Sequence, residues 1–163
     1  MKIVDWNEYT NLLKKMHDQV RMRSFDNIVS IGRGGSIIAS YISSKLGIPT
    51  FCPVFIRHTD EAGTTRIIEH DLCMLKTLKG LFLIIDDWLC DGIAMQYLID
   101  KLPKDASVTT LVMFNRRGSA FKPDIVATYL DEKEREILFP YDPAGWDSSF
   151  FFHITTNNFE VRN

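Results

Sequence analysis

Apolar residues recur at intervals of three and four near the start of the chain, at Trp6, Tyr9, Leu13, Met16 and Val20. That spacing predicts an amphipathic helix, with Asp5 or Asn7 as its cap. A different rhythm follows. Short, nearly unbroken apolar runs at 27–31 (NIVSI), 50–56 (TFCPVFI), 81–85 (LFLII) and 108–114 (VTTLVMF) predict buried strands. Briefer runs at 125–130 and 137–139 predict two more. Residues 36–46 read as a helix that stops at Gly47, a residue that tolerates a left-handed C-terminal cap, and 93–102 read as another. The polar stretch 57–70, RHTDEAGTTRIIEH, predicts a long loop or a loose hairpin. Loops of that length in compact domains are often functional lids.

Strands alternating with helices imply an α/β fold, a mostly parallel sheet flanked by helices. Such sheets bind ligands beyond the carboxyl ends of their strands. The predicted strand ends carry Gly32-Arg33-Gly34-Gly35, Arg57-His58, Asp86-Asp87 and Asn115-Arg116-Arg117, which puts all four groups on one rim.

Length and composition narrow the setting. A chain of 163 residues is the size of one ordinary domain, and no repeat, low-complexity tract or linker divides it, so 1–163 is expected to fold as a unit. With 45% hydrophobic and 25% charged residues it has the balance of a soluble globular protein. A net charge of −2 gives no general reason to expect nucleic acid or a membrane surface as partner. The N-terminal stretch is interrupted by charges and reads as no secretory signal. Cys52, Cys73 and Cys90 are too few and too scattered for a disulfide framework or a zinc site. A reducing, cytoplasmic setting is the expectation.

Two motifs carry chemistry. In IGRGG (31–35), small residues before a helix let backbone N–H groups converge on an anion, and Arg33 can add a charge-assisted hydrogen bond to a phosphate oxygen. The plainer alternative is a tight turn with a solvent-facing arginine. In LFLIIDDWLCDGIAM (81–95), an apolar strand runs into two adjacent carboxylates. They repel each other, so stability alone does not select them. They suit the vicinal hydroxyls of a ribose or a hydrated Mg²⁺. A solvated strand end is the competing reading.

The 81–95 stretch resembles the signature of the type I phosphoribosyltransferases: apolar residues, two acids, then a small-residue loop that opens a helix. IGRGG is similar to their pyrophosphate loop. ILFPYD (137–142) is similar to the segment that closes the base pocket in the short hypoxanthine, guanine and xanthine enzymes. The resemblance spans most of the chain, from 28 to 142, and implies a fold with a small hood at 131–163 and a flexible lid at 57–70. It implies that Asp86 and Asp87 hold the ribose hydroxyls of phosphoribosyl pyrophosphate, and that Arg33 with Gly32, Gly34 and Gly35 holds the pyrophosphate. Mg²⁺ would reach Asp86 and Asp87 through water or substrate. Asp91 and Gly92 fall in the loop that takes the 5′-phosphate. Arg116 falls where the purine enzymes carry a lysine that hydrogen-bonds the base, and Tyr141 lies in the segment that closes over it.

The sequence also departs from that pattern. The family's acid-Thr-Gly-x-Thr loop is here Cys90, Asp91, Gly92, Ile93 and Ala94, without either threonine. Glu136 stands where the family places the aromatic that stacks on the base. A phosphate monoester carries about −1.5 to −2 charges near neutral pH. Asp91 facing it at 4 Å would cost roughly 4 kcal/mol per unit pair at an effective dielectric near 20. As N-cap of the following helix, Asp91 would itself fill the anion position.

Three readings stay open: a purine-type phosphoribosyltransferase using Mg²⁺, an enzyme of the same fold whose sugar lacks a 5′-phosphate, and a non-catalytic nucleotide-binding or regulatory module. His58 and His70 flank the polar stretch and are expected to be exposed rather than catalytic. SFFFHI (149–154) reads as a packed strand, with a cover over the base pocket or a homodimer contact as alternatives.

Overall fold

The computed structural model describes residues 1–48, 51–61, 64–70, 72–134 and 136–142. The first helix, α1 (Trp6–Val20), follows a two-residue strand, β1 (Lys2–Ile3). Asp5 is its cap, accepting the backbone N–H of Glu8 at 2.7 Å. Tyr9, Leu13, Met16 and Val20 are buried, whereas Trp6 is 57% exposed and stands outside the stripe it was expected to begin.

The main sheet is built from β2 (Asn27–Ile31), β3 (Phe51–Glu61), β4 (Thr64–His70), β5 (Leu81–Leu89), β6 (Ser107–Arg116) and β7 (Ile125–Leu130). Its order is β4-β3-β2-β5-β6-β7, parallel throughout except that β4 returns antiparallel beside β3. The polar stretch is therefore a hairpin, paired from Phe55↔His70 to Glu61↔Thr64. His58 and His70 take register positions in it opposite Ile67 and Phe55. A second, two-stranded parallel sheet joins β1 to β8 (Ile137–Leu138).

Alternation along β5 feeds a core on each face. Leu83 and Ile85 join Leu111, Met113 and the buried sides of α1 and of α2 (Gly32–Leu46). Phe82 and Ile84 join Val112, Val54 and the buried side of α3 (Ile93–Lys101). This is the α/β architecture expected, with helices on both faces. No helix among the described residues is long and apolar enough to cross a membrane. The SFFFHI stretch and the hood beyond residue 142 lie outside the described residues, as do Thr50, Gly63 and position 135.

Two of the boundaries that differ from expectation matter for the site. Helix α2 starts at Gly32, four residues before the predicted start at 36, so the glycine stretch forms its first turn. Its far end is as expected, with Gly47 left-handed at φ 66°. Strand β5 runs on through the two acids to Leu89. Its pairing with β2 ends at Ser30↔Ile85, but its pairing with β6 continues to Leu89↔Asn115. Where β2 gives way to α2, one side of β5 is left without a strand neighbour, and Asp86 and Asp87 sit at that opening.

Candidate functional site

A cleft of about 360 Å³ opens at this point, lined by Gly32, Arg33, Gly34, Asp86, Asp87 and Tyr141, with Ile56, Trp88, Ala94 and Asp142 at its margins. The topology thus brings the end of β2, the extension of β5, the edge of β3 and the segment after β8 to one place. Arg33 is exposed, with no hydrogen bond or ion pair among the described residues. No side chain caps the N-terminus of α2, so its first-turn amides face the cleft margin without a side-chain acceptor.

The glycines are required by close approach. A Cβ on Gly34 would fall 1.7 Å from Asp87 Oδ2 and 2.4 Å from the Tyr141 hydroxyl. One on Gly35 would fall 2.7 Å from the Ile85 carbonyl oxygen. Both contacts press the first turn of α2 onto the acid-bearing part of β5.

The acids differ in their surroundings. Asp86 is 8% exposed, and its Oδ1 accepts the backbone N–H of Asp87 at 2.9 Å. Burial, with the neighbouring Asp87 charge behind it, raises its pKa well above the ordinary carboxylate range. Asp87 accepts the Trp88 N–H at Oδ1, 2.9 Å, and the Tyr141 hydroxyl at Oδ2, 2.5 Å. Burial raises its pKa as well, and those hydrogen bonds oppose the rise. Desolvation and the facing Asp87 carboxylate push the Tyr141 phenol far above its usual value, so it remains a donor.

The loop after the acids is arranged differently from the sequence expectation. Gly92, left-handed at φ 88°, occupies the N-cap position of α3 and has no side-chain cap bond. Asp91 lies one residue earlier, and its carboxylate accepts the Ile93 N–H at 3.0 Å. So Asp91 is not the N-cap itself, although it does take up an amide at that helix end. A Cβ on Gly92 would meet Phe121 at 2.1 Å, which explains the glycine.

Arg116 turns toward the same loop: its Nε donates to the Cys90 carbonyl oxygen at 3.0 Å. With Asn115, Arg117 and Lys122 it lines a separate cleft of about 380 Å³ that contains neither acid. Of the residues singled out in the sequence, Gly32, Arg33, Gly34, Asp86, Asp87 and Tyr141 therefore share one cleft. Gly35 lies behind it as packing, Asp91 and Gly92 form the adjoining loop, and Arg116 braces that loop from beyond. Glu136 is exposed.

Sequence reasoning passed over Trp88 and Tyr9. Trp88 lines the cleft directly after the acids, a position that an aromatic following an acid pair could have signalled. Tyr9 belonged to the helix stripe and carried no sign of its neighbours. It packs edge-on against Tyr141 at 5.5 Å between ring centroids, and Asp87 adds to the burial that raises its phenol above the ordinary range.

Among the described residues no group of three or more His, Cys, Asp or Glu could hold a metal ion. The pair Asp86 and Asp87 nonetheless fits a divalent cation held through water and substrate oxygens, since Mg²⁺ commonly uses one or two carboxylates plus phosphate groups.

No protein-family model matches the chain. It is 27% identical over 143 residues to a xanthine-guanine phosphoribosyltransferase of Idiomarina loihiensis, covering 85% of each sequence. Among solved structures it superposes on a purine phosphoribosyltransferase from Pyrococcus horikoshii with a TM-score of 0.76 at 19% identity, over 86% of this chain and 93% of that one. A Neisseria gonorrhoeae hypothetical protein with bound ppGpp matches with a TM-score of 0.67 at 17% identity, over 93% and 94% of the two chains.

Proposed function

We propose that this chain, a member of the type I phosphoribosyltransferase family close to the enzymes of hypoxanthine, guanine and xanthine, transfers ribose 5-phosphate from phosphoribosyl pyrophosphate to a purine-type base and releases pyrophosphate. One observation carries the reading: the two acids on β5 and the glycine turn of α2 meet in one cleft at the carboxyl edge of a parallel sheet. Asp86 and Asp87 accept the vicinal hydroxyls of the ribose, and their charge favours the sugar cation that develops as pyrophosphate leaves. Arg33 and the first-turn amides of α2 hold the leaving pyrophosphate. The whole chain acts as one domain. The β3–β4 hairpin, which leaves the cleft at Ile56, is the cover that excludes water, and the segment 136–142, which brings Tyr141 to the cleft, closes over the base. Asp86 and Asp87 would hold Mg²⁺ through water and substrate, and the ion would neutralise charge on the departing pyrophosphate. Catalysis is then chiefly positioning and electrostatic stabilisation.

The second reading rests on Asp91. Its carboxylate already takes an amide at the start of α3, where a substrate 5′-phosphate would need donors. This favours a sugar without that phosphate, or a nucleotide-binding module that performs no transfer. The test is to incubate the protein with phosphoribosyl pyrophosphate, Mg²⁺ and each of hypoxanthine, guanine, xanthine and orotate, following pyrophosphate release and nucleotide formation. The transferase reading expects nucleotide from at least one purine. No product with any base, together with a thermal shift from nucleosides or nucleotides alone, would establish the second reading instead.

A further inference from the structure

Asp87 is held by two hydrogen bonds from within the chain. Its Oδ2 accepts the Tyr141 hydroxyl at 2.5 Å and its Oδ1 accepts the Trp88 N–H at 2.9 Å. The bonded pair also lies directly over Gly34, where even a methyl group would collide with both the carboxylate and the phenol. Carboxylate and phenol together therefore pack directly against the first turn of α2 at Gly34, at the margin of the cleft.

A second phenol stands behind the first. Tyr9 is 1% exposed, and its hydroxyl has no hydrogen-bond partner among the described residues. Folded proteins leave few buried hydroxyls unpaired, because each forfeits its bonds to water. The ring of Tyr141 lies flat on Phe139, 5.1 Å between centroids and 8° between planes, and meets the Tyr9 ring edge-on. One ring of this packed pair thus carries a committed hydroxyl and the other a hydroxyl without a hydrogen-bond partner among the described residues.

We propose that Tyr141 and Tyr9 form a two-position latch on Asp87. In the ligand-free chain Tyr141 pins the carboxylate over Gly34. When sugar hydroxyls or a cation–pyrophosphate complex claim the carboxylate, Tyr141 transfers its hydroxyl to the oxygen of Tyr9 and the cleft over α2 opens. Tyr141 is thus a positioning residue that acts through Asp87. The latch rests on the transferase reading above. Because a ligand must first break the pinned state, its apparent affinity is reduced by the fraction of molecules that are latched.

The experiment is calorimetric titration of magnesium pyrophosphate, and separately of phosphoribosyl pyrophosphate, into wild type, Tyr141→Phe, Tyr9→Phe and the double variant. Tyr141→Phe keeps the ring on Phe139 and removes only the hydroxyl; thermal melts establish that each protein is folded. The latch predicts that Tyr141→Phe binds pyrophosphate about tenfold more tightly, the effect of releasing one hydrogen bond to a charged group. Tyr9→Phe binds several-fold more weakly, and in the Tyr141→Phe background it changes nothing. A purely structural role for Tyr141 gives the opposite sign. If wild type binds and Tyr141→Phe binds equally or more weakly, the latch is wrong and the transferase reading stands. If no variant binds either ligand, both are wrong.

Discussion

The Ile85 carbonyl oxygen lies 2.7 Å from where a Cβ on Gly35 would be, so α2 and β5 approach as closely as backbone allows. This contact sets the height of the helix over the acids that follow Ile85. Gly35→Ala must push the helix away from backbone that cannot yield cheaply. The expected cost is about 1–3 kcal/mol, as for other overpacked sites. At this chain length each kcal/mol lowers Tm by about 2–4 °C. Thermal denaturation checks it, and an unchanged Tm would mean that α2 can slide without loss.

Asp86 should make stability fall as pH rises. Its folded-state pKa is raised, first by burial and then by the Asp87 charge. The folded chain therefore retains a proton over a range where the unfolded chain has released it. The stabilising effect is complete below the ordinary carboxylate range and is lost as pH climbs through the raised value. Asp86→Asn removes that loss. Urea denaturation should find the variant more stable than wild type near neutral pH, with the difference closing as pH falls toward 4. A difference independent of pH would place the effect in packing instead of charge.

Much of this arrangement could be read from the chain, because its signals are local. The apolar runs at 27–31 and 81–85 are long enough to mark buried strands, and the 3.6-residue stripe of α1 is strongly periodic. The boundaries were less legible. Nothing in LFLIIDDWL says that the strand continues past its acids, because the reason is that β6 still pairs there after β2 has ended. Gly34 and Gly35 suggested a turn when viewed locally. Their true constraint comes from residues about 50 positions away, and glycine serves either purpose equally well. The Tyr9–Tyr141 contact joins opposite ends of the described chain, and no local pattern carries it.

Arg116 braces the loop after β5. Its Nε–H donates to the Cys90 carbonyl, across from Leu89 and Asn115, the last pair of the β5–β6 ladder. A hydrogen bond from a charged group is worth about 1.5–3 kcal/mol. Arg116→Met should destabilise the fold by about that amount or somewhat less, and should speed amide hydrogen exchange in the Cys90–Gly92 turn. Arg116→Lys should rescue little, since an ammonium cannot reproduce the direction of the guanidinium N–H. Full rescue by lysine would show that charge alone matters at this position, as expected if the residue faces a base carbonyl.

Asp91 separates the two functional readings. Its carboxylate accepts the Ile93 N–H at 3.0 Å, placing a negative charge at the loop where a 5′-phosphate would bind. At about 4 Å, each unit pair of like charges costs roughly 4 kcal/mol at an effective dielectric near 20, and one or two loop amides at about 1.5–3 kcal/mol each offset this only in part. On the second reading, wild type therefore binds ribose 5-phosphate nucleotides poorly while still taking pyrophosphate near Arg33. Asp91→Thr combined with Ala94→Thr replaces the repulsion with hydroxyl donors, and Ala94 already lines the cleft. The double variant should bind a ribose 5-phosphate nucleotide at least tenfold more tightly, and threonine can also accept an amide at a helix start. Titration of both proteins at fixed salt and Mg²⁺ decides it. Tight wild-type binding that the substitutions leave unchanged would place Asp91 outside the phosphate's path, and the purine transferase would then need no altered sugar.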